Sequence, residues 1–380
     1  MRTFGRLLGI LFLLFAIGIS VVYWQDPLLW RRYAGFMGTI AGFEQGELKP
    51  TEIIVGGEVL QIPAANNNNG TISDDALRDA EAYADEFDSY SLVVVHKGVV
   101  QTEWYAEGWS AEQFTQSQSM HKSLQAILIG NALEDGDIDS VDDKISKYII
   151  EWHDDPRGDI TLYELMIMSS GLAQYTFNLN PFADDFKWLY AGDTLPVILR
   201  TPSADWQPGE KFDYNNINSE ILGTIIQRAT GKRYADYLSE KLWQPMGGDT
   251  AKVWLDHEGG AAHTSCCILA TTMDWMRVGL MMLHEGEING NRIISRDWHQ
   301  KMIDTSPVNP RYGLQIWLGY EDEPPPSASE PFLARDTYYM AGRGGQFVFI
   351  SPSEELIVVR MGPAIGPMPL KPGWDTTYLT

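Results

Sequence analysis

Two residues near the start of a predicted helix have the types and spacing that nucleophilic catalysis needs. Ser119 stands three residues before Lys122, and the largely apolar stretch 124–133 that follows predicts a helix. Residues three apart on a helix share a face, so the lysine amine would lie beside the serine hydroxyl. A serine attacks only after a base takes its proton, and burial can lower the pKa of a lysine enough to make it that base. An ordinary helix cap with a surface lysine is the alternative.

A second polar group stands at residues 214–216, just before another predicted helix. A nearby lysine charge would favour the phenolate of Tyr214, which could then relay a proton between Ser119 and a leaving group. The amide of Asn216 would bind the lysine amine or a substrate carbonyl. The alternative is a loop tyrosine beside two turn asparagines.

A third candidate is the glycine-rich segment 340–346, with the sequence Met-Ala-Gly-Arg-Gly-Gly-Gln. Glycines within a strand pattern indicate close approach of a ligand or of another backbone. Such an edge can supply one backbone N–H to an oxyanion while the nucleophile's own N–H supplies the other. A bulge or tight turn is the alternative. The segment does not join a strand to a helix, which excludes a dinucleotide-binding loop.

The loop 175–190 is rich in aromatic residues. Mobile loops often control access to a site, so this one is a candidate lid over a pocket, with packing in the core as an equal alternative. Its residue Tyr175 is the one that we expect to contact substrate. The other aromatic side chains of the predicted lid include Phe177, Phe182, Phe186 and Trp188.

The elements that must position these residues are strands at both chain ends and helices between them. Residues 91–95 and 99–105 predict a hairpin, whereas 119–300 has mostly helical apolar spacing. We therefore predict an α+β fold, in which an antiparallel sheet built from both chain ends is covered by helices and joined to a mostly helical second lobe. Further helices are predicted at 74–87, 145–150, 162–168 and 219–230, and further strands at 312–319, 346–350 and 356–361.

The N-terminus predicts a membrane anchor. Arg2 and Arg6 precede an uncharged run from residue 7 to residue 24, whose length is at the lower edge for a spanning helix. We predict that segment 1–25 stays uncleaved and leaves the rest of the chain on the periplasmic or extracytoplasmic side. A cleaved signal peptide, followed by secretion, is the alternative. Residues 26–72 are expected to form a tether and irregular lead-in, and residues 73–380 the catalytic domain.

Composition excludes several functions. A net charge of −23 leaves no basic face for nucleic acid. The histidines show no spacing typical of a metal site, and we expect no metal and no cofactor. The two cysteines, Cys266 and Cys267, are adjacent, and because neighbouring cysteines rarely satisfy disulfide geometry we predict two small apolar fillers. The sequence carries no signal for the oligomeric state.

The three motifs occur in an order that resembles the serine beta-lactamase and penicillin-binding-protein superfamily. Serine-x-x-lysine at 119–122 comes first, tyrosine-x-asparagine at 214–216 follows, and the glycine-rich strand is last. The middle motif is similar to that of the class C branch. Within the superfamily, the Gly-Gly-Gln strand and the cysteine pair before a Thr-Thr-x-Asp-x-x-Arg run are most similar to the 6-aminohexanoate-dimer hydrolase-like proteins. The resemblance covers about residues 75–362 and implies the beta-lactamase-like fold.

The resemblance also implies roles for individual residues. Ser119 would be the acylated nucleophile and Lys122 its base or proton partner. Tyr214 would be the general acid and base, and Asn216 would orient the lysine and the substrate. The backbone N–H groups of Ser119 and Arg343 would form the oxyanion hole. The residues expected to line the substrate site are Tyr175, Gly342, Gly344 and Gly345.

The third motif departs from the superfamily's better-known form. Met340 and Ala341 stand where a cation and a hydroxyl would meet the carboxylate of a beta-lactam. This difference argues against penicillin hydrolysis and D-alanyl-D-alanine carboxypeptidase activity. It predicts a serine hydrolase for a small ester or amide. The alternative is a weak or inactive envelope protein of the same fold that binds peptidoglycan fragments or a protein partner.

Overall fold

The structure, a computed structural model, describes residues 2–38, 49–66, 69–176, 178–320, 324–325, 328–363 and 372–380. Phe177 of the predicted lid and part of the predicted lead-in lie outside the described residues. Within these ranges the strands, in chain order, are β1 (Thr51–Ile54), β2 (Ser91–His96), β3 (Val99–Tyr105), β4 (Thr115–Gln116), β5 (Ala251–Trp254), β6 (Ile268–Ala270), β7 (Glu287–Ile288), β8 (Asn291–Arg292), β9 (Trp317–Leu318), β10 (Tyr338–Gly342), β11 (Gln346–Ser351) and β12 (Leu356–Met361).

The larger sheet is antiparallel and is built from both chain ends, as predicted. Its order is β3-β2-β12-β11-β10-β9, so the last strand pairs with the N-terminal hairpin. Alternate residues of a strand point to opposite faces: Val93 and Val95 enter one core cluster, whereas Leu92 and Val94 enter another. Burial on both faces explains the unbroken apolar run of β2. The predicted strand 312–319 is regular only at β9.

Side-chain caps mark the starts of several helices. Ser73 accepts the backbone N–H of Ala76, and Thr161 and Thr271 each form a reciprocal capping box. The predicted helix at 145–150 is instead two short 3-10 turns. The α-helices are α1 (Arg2–Gln25), α2 (Pro27–Gly38), α3 (Asp74–Glu86), α4 (His121–Asp135), α5 (Leu162–Met166), α6 (Asp184–Tyr190), α7 (Leu195–Leu199), α8 (Asn216–Thr230), α9 (Tyr234–Leu238), α10 (Thr272–Leu283) and α11 (Arg296–Ile303). Tighter or wider turns occur at Gln118–Met120, Ile145–Lys147, Ile150–Trp152, Pro156–Asp159, Ser239–Trp243 and Pro352–Glu354.

Helix α4 is the central helix of the molecule. Every residue from His121 to Ala132 is buried, which suits a helix that is apolar on most of its surface. It packs against α8, while α10 covers the larger sheet. The helix ends at Gly136, whose φ of 80° favours glycine. The start of α4 therefore lies between the sheet and the helical lobe.

A smaller sheet was not predicted from the sequence. Its order is β1-β5-β6-β4, and it takes β1 from the segment expected to be an irregular tether. Leu60 of the same segment donates its backbone N–H to the Gly247 carbonyl at 2.9 Å. Residues 27–38 are helical as well. The described part of the lead-in therefore includes a helix and a strand that pack on the folded body.

The two N-terminal helices meet at a sharp bend. Helix α1 has exposed apolar side chains, among them Phe12, Ile17 and Trp24. Among the described residues, no single helix is long and apolar enough to cross a membrane. Helices Phe12–Gln25 and Pro27–Gly35 meet at a bend of 94°, and only the two together have the length and apolar composition of a membrane span.

Candidate active site

The predicted nucleophile lies where the smaller sheet joins the central helix. Strand β4 ends at Gln116, a 3-10 turn spans Gln118–Met120, and α4 begins at His121. The turn requires a positive φ of 49° at Gln118. Ser119 is half-buried there, and the tight turn holds its hydroxyl at the start of the buried helix α4.

The sequence-predicted lysine is next to this serine. The Lys122 amine lies 3.0 Å from the Ser119 Oγ and donates to the Ser265 carbonyl at 2.5 Å. The lysine is only 1% exposed, and this burial lowers its pKa from 10.5 to about 7 although the negative charge of Glu220 raises it. A lysine with this pKa is partly neutral at neutral pH and can accept the serine proton.

Tyr214 lies beside the serine–lysine pair. Its ring centroid is 5.2 Å from the Lys122 amine, and the Ser119 hydroxyl is near enough to lower its pKa slightly. The ring stacks on Trp317, with 5.5 Å between centroids. Burial raises the pKa of Tyr214 to about 12, a direction opposite to the one expected from a nearby lysine charge. The phenol is therefore protonated at neutral pH and can donate a proton.

Asn216 is the first residue of α8 and lines a cavity that Ser119 also lines. The helix is capped by the preceding Asn215, whose side chain accepts the Ile217 N–H at 3.0 Å and donates to the Leu172 carbonyl at 3.1 Å. Among the described residues, the hydrogen bonds of the lysine amine are to Ser119 and to the Ser265 carbonyl. The expected part of Asn216 in orienting substrate stays a prediction.

The glycine-rich segment forms the turn between β10 and β11, beside the nucleophile. A Cβ at Gly342 would overlap the Ser117 carbonyl, and one at Gly344 would overlap a backbone carbonyl of residue 363. The buried Arg360 guanidinium holds the turn by donating to the carbonyls of Gly344 and Gly345 at 2.7 and 2.8 Å. The close approach explains the glycines. Arg343 lines the cavity beside Ser119. Gly342, Gly344 and Gly345 are not among the described residues that line it.

A cavity of about 190 Å³ opens at these residues. Aromatic and polar side chains share its wall, and five of its residues come from α6 in the predicted lid loop. The predicted substrate residue Tyr175 is part of the wall. The described lining residues are Gln116, Gln118, Ser119, Tyr175, Asp185, Phe186, Trp188, Leu189, Tyr190, Asn216, Trp254, Ser265, Cys266, Cys267 and Arg343.

The two cysteines are joined in a disulfide, so the prediction of two apolar fillers was wrong. Cys267 adopts a φ of 86°, and this turned backbone accompanies the pairing of adjacent sulfurs. The bond is part of the cavity wall, one residue after Ser265. The Nδ1–H of His121 donates to the Cys266 carbonyl, and its Nε2 lies 2.8 Å from the Tyr234 hydroxyl, so this buried histidine packs between α4 and α9.

A buried carboxylate was missed by the sequence analysis. Glu220 accepts the N–H and the hydroxyl of Ser265 at 3.0 and 2.6 Å, and so holds the residue that binds the lysine. Burial would raise the pKa of Glu220, but His263, with a ring nitrogen 3.8 Å away, and the bonds from Ser265 lower it to about 2. A charged residue within the apolar pattern of 219–230 was the available signal.

Known proteins are similar to this chain in sequence and in fold. The 6-aminohexanoate-dimer hydrolase of Paenarthrobacter ureafaciens is 24% identical over 237 residues, which are 60% of each chain, so less than two thirds of that relative is matched. A candidate 6-aminohexanoate-dimer hydrolase from Bacillus anthracis superposes with a TM-score of 0.69 at 21% identity, covering 83% of this chain and 86% of the other. A penicillin-binding protein from Bacillus halodurans has a TM-score of 0.58 at 17% identity, covering 76% and 95%.

The structural likeness supports the α+β, beta-lactamase-like fold that the sequence predicts. The family model for beta-lactamases matches residues 77–363, which include the serine, the lysine, the tyrosine and the glycine-rich turn. The chain therefore belongs to the beta-lactamase family.

Proposed function

We propose that this protein is a serine hydrolase that cleaves a small ester or amide through an acyl intermediate on Ser119. The observation that carries the proposal is the 3.0 Å contact between its Oγ and the amine of Lys122, whose pKa burial lowers to about 7. Such a pair supplies a nucleophile and a base in one buried place. Relatives named as hydrolases in the same family support the proposal.

The proposed reaction has two halves. Lys122 takes the hydroxyl proton of Ser119 as the oxygen attacks the substrate carbonyl, and backbone N–H groups of Ser119 and Arg343 stabilise the oxyanion. The phenol of Tyr214 gives its proton to the leaving oxygen or nitrogen as the bond to the carbonyl carbon breaks, and the lysine proton restores the phenol. A water then attacks the acyl-enzyme with the same groups as base and acid.

The cavity favours a compact acyl group. Its volume of about 190 Å³ and the large side chains that α6 adds to its wall suit a short chain rather than a large fused ring system. Met340 is fully buried in the core and Ala341 packs in the other cluster, so this strand offers neither cation nor hydroxyl to a beta-lactam carboxylate. The name of the Paenarthrobacter relative suggests linear amides as a second class to test.

Covalent labelling tests the proposal directly. The full chain in detergent is treated with a fluorophosphonate probe, and mass spectrometry locates the adduct. We expect labelling at Ser119, its loss in Ser119→Ala, and no change in Ser110→Ala, which alters an exposed turn. Failure to form any adduct with esters, amides or beta-lactams would instead favour a protein that binds peptidoglycan fragments or a partner.

We also propose that α1 attaches the protein to a membrane, with the catalytic body on the extracytoplasmic side. The support is the uncharged run 7–24 and the exposed apolar side chains of this helix, such as Phe12 and Trp24. Carbonate extraction should leave the protein in the membrane pellet, and protease added outside spheroplasts should digest the body. Release by carbonate, or full protection from protease, would contradict the proposal.

A further inference from the structure

The helix that forms the aromatic wall of the cavity is held by the N-terminal arm, residues 26–38 together with Lys49. Helix α6 supplies Asp185, Phe186, Trp188, Leu189 and Tyr190 to the wall. A helix leaves its last carbonyls without partners inside the helix, and cationic side chains commonly satisfy them. In this chain, the donors to these carbonyls come from a segment about 150 residues earlier in the sequence.

Two buried basic side chains donate hydrogen bonds to the C-terminal end of α6. The Arg32 guanidinium donates to the carbonyls of Tyr190 and Ala191 at 3.1 and 2.6 Å. The Lys49 amine donates to the carbonyl of Leu189. Arg32 is 2% exposed and Lys49 is 4% exposed, so water does not compete for these bonds. Arg32 also donates to the carbonyl of Asp256, and thereby ties α6 to the loop after β5.

Apolar contacts reinforce the same junction. Leu29 and Tyr33 of α2 pack in one cluster with Phe186 and Tyr190, and the Tyr33 and Phe186 rings meet edge to face with 5.6 Å between centroids. The Asp26 carboxylate accepts the N–H of Gly192 at 2.9 Å, just beyond α6. Polar and apolar contacts of the arm therefore act on one short helix.

We propose that Arg32 is a positioning residue, which fixes the α6 wall of the acyl cavity and thereby sets the size of the substrate that the enzyme accepts. The inference rests on the proposed serine hydrolase function. Loss of the guanidinium leaves buried carbonyls at the end of α6 without their donor, so the helix relaxes outward. A looser wall holds a short acyl group poorly and admits a longer one, while Ser119 and Lys122, on α4 and its preceding turn, keep their geometry.

Substrate selectivity measures this effect. Full-length wild type and Arg32→Met in detergent are assayed with p-nitrophenyl acetate and p-nitrophenyl octanoate. Because a displacement of ~1 Å can cost ~100-fold, we expect the ratio of kcat/KM for acetate over octanoate to fall roughly 10- to 100-fold. For acetate the change should be mainly in KM, since the reacting groups are untouched. Arg32→Lys, which keeps a cationic donor, should recover part of the ratio.

The neighbouring Arg31, which is exposed, provides the matched control. Arg31→Met should leave the ratio as in wild type. Hydrogen–deuterium exchange of a peptide covering 184–192 provides a readout without turnover, and we expect faster exchange in Arg32→Met but not in Arg31→Met. Equal ratios and equal exchange in the two variants would overturn the inference. A wild type that hydrolyses neither ester would overturn the proposed function, and the exchange comparison would still decide whether Arg32 positions α6.

Discussion

Replacing Lys122 by methionine should abolish ester hydrolysis and, at the same time, make the protein more stable. Methionine has a similar length and no charge, so it can occupy the same space beside Ser119. The lysine is 1% exposed, and its burial lowers the pKa from 10.5 to about 7. Folding must therefore either bury a charge or release a proton, and each costs free energy that methionine does not require.

The magnitude follows from the pKa difference. A pKa difference of 1 corresponds to about 1.4 kcal/mol, so the fall of about 3.5 means that burying the charged lysine costs about 5 kcal/mol of folding free energy. At pH 7, where the folded lysine is half neutral, the cost is about 4 kcal/mol. Loss of the hydrogen bonds to Ser119 and Ser265 offsets about 2 kcal/mol, at about 1 kcal/mol each. We expect Lys122→Met to be more stable than wild type by about 2 kcal/mol at pH 7. Hydrolysis should fall by on the order of 10⁴-fold.

The stability difference should depend on pH with a definite sign. Between pH about 7 and 10.5 the unfolded lysine holds a proton that the folded one has lost. The unfolded state then binds more protons, so this lysine makes the wild type more stable as pH rises through that window. Methionine has no such dependence. The advantage of Lys122→Met should be largest at and below pH 7 and should shrink toward pH 10.5.

Urea unfolding followed by circular dichroism, at several pH values from 6 to about 9, measures the difference by linear extrapolation. Because all other titrating groups are common to both proteins, their effects cancel in the comparison. Lys301→Met, at an exposed position, is the matched control and should change stability little. A Lys122→Met protein that is less stable at pH 7, or a difference that stays constant with pH, would refute the reasoning.

Four further results are expected. The kcat/KM for ester hydrolysis should rise with pH around 7, because only neutral Lys122 acts as base; a flat profile from pH 6 to 8 would contradict this. Glu220→Gln removes a charge that raises that pKa, so the rise should move to lower pH in a folded variant, and a move to higher pH would exclude the assignment. Gly342→Ala should prevent fluorophosphonate labelling, because the new Cβ overlaps a carbonyl, whereas Gly70→Ala should label normally. The vicinal disulfide predicts that iodoacetamide modifies both cysteines only after reduction, and alkylation without reductant would show that the bond is absent.

Local sequence was sufficient to predict the pairing of the candidate nucleophile with its base. Ser119 and Lys122 are three residues apart at the start of a buried helix, so helical geometry by itself brings their side chains together. The same applies to β2 and β3, whose apolar runs around a short turn predicted the hairpin at the sheet edge. Strand β1 was not predicted, because it has only four residues and pairs with β5, about 200 residues later, rather than with a neighbouring segment.

The sequence by itself determined which residues could react: a serine, a lysine, a tyrosine and a glycine-rich turn, in the order typical of the superfamily. Only the tertiary structure decided their chemistry. The bond from the Lys122 amine to Ser265 spans 143 residues, and the pKa of the lysine depends on burial by surrounding elements and on the charge of Glu220. The direction of the Tyr214 pKa, opposite to expectation, has the same origin. Periodicity reports which face of an element is apolar, whereas desolvation and long-range partners depend on how all the faces meet.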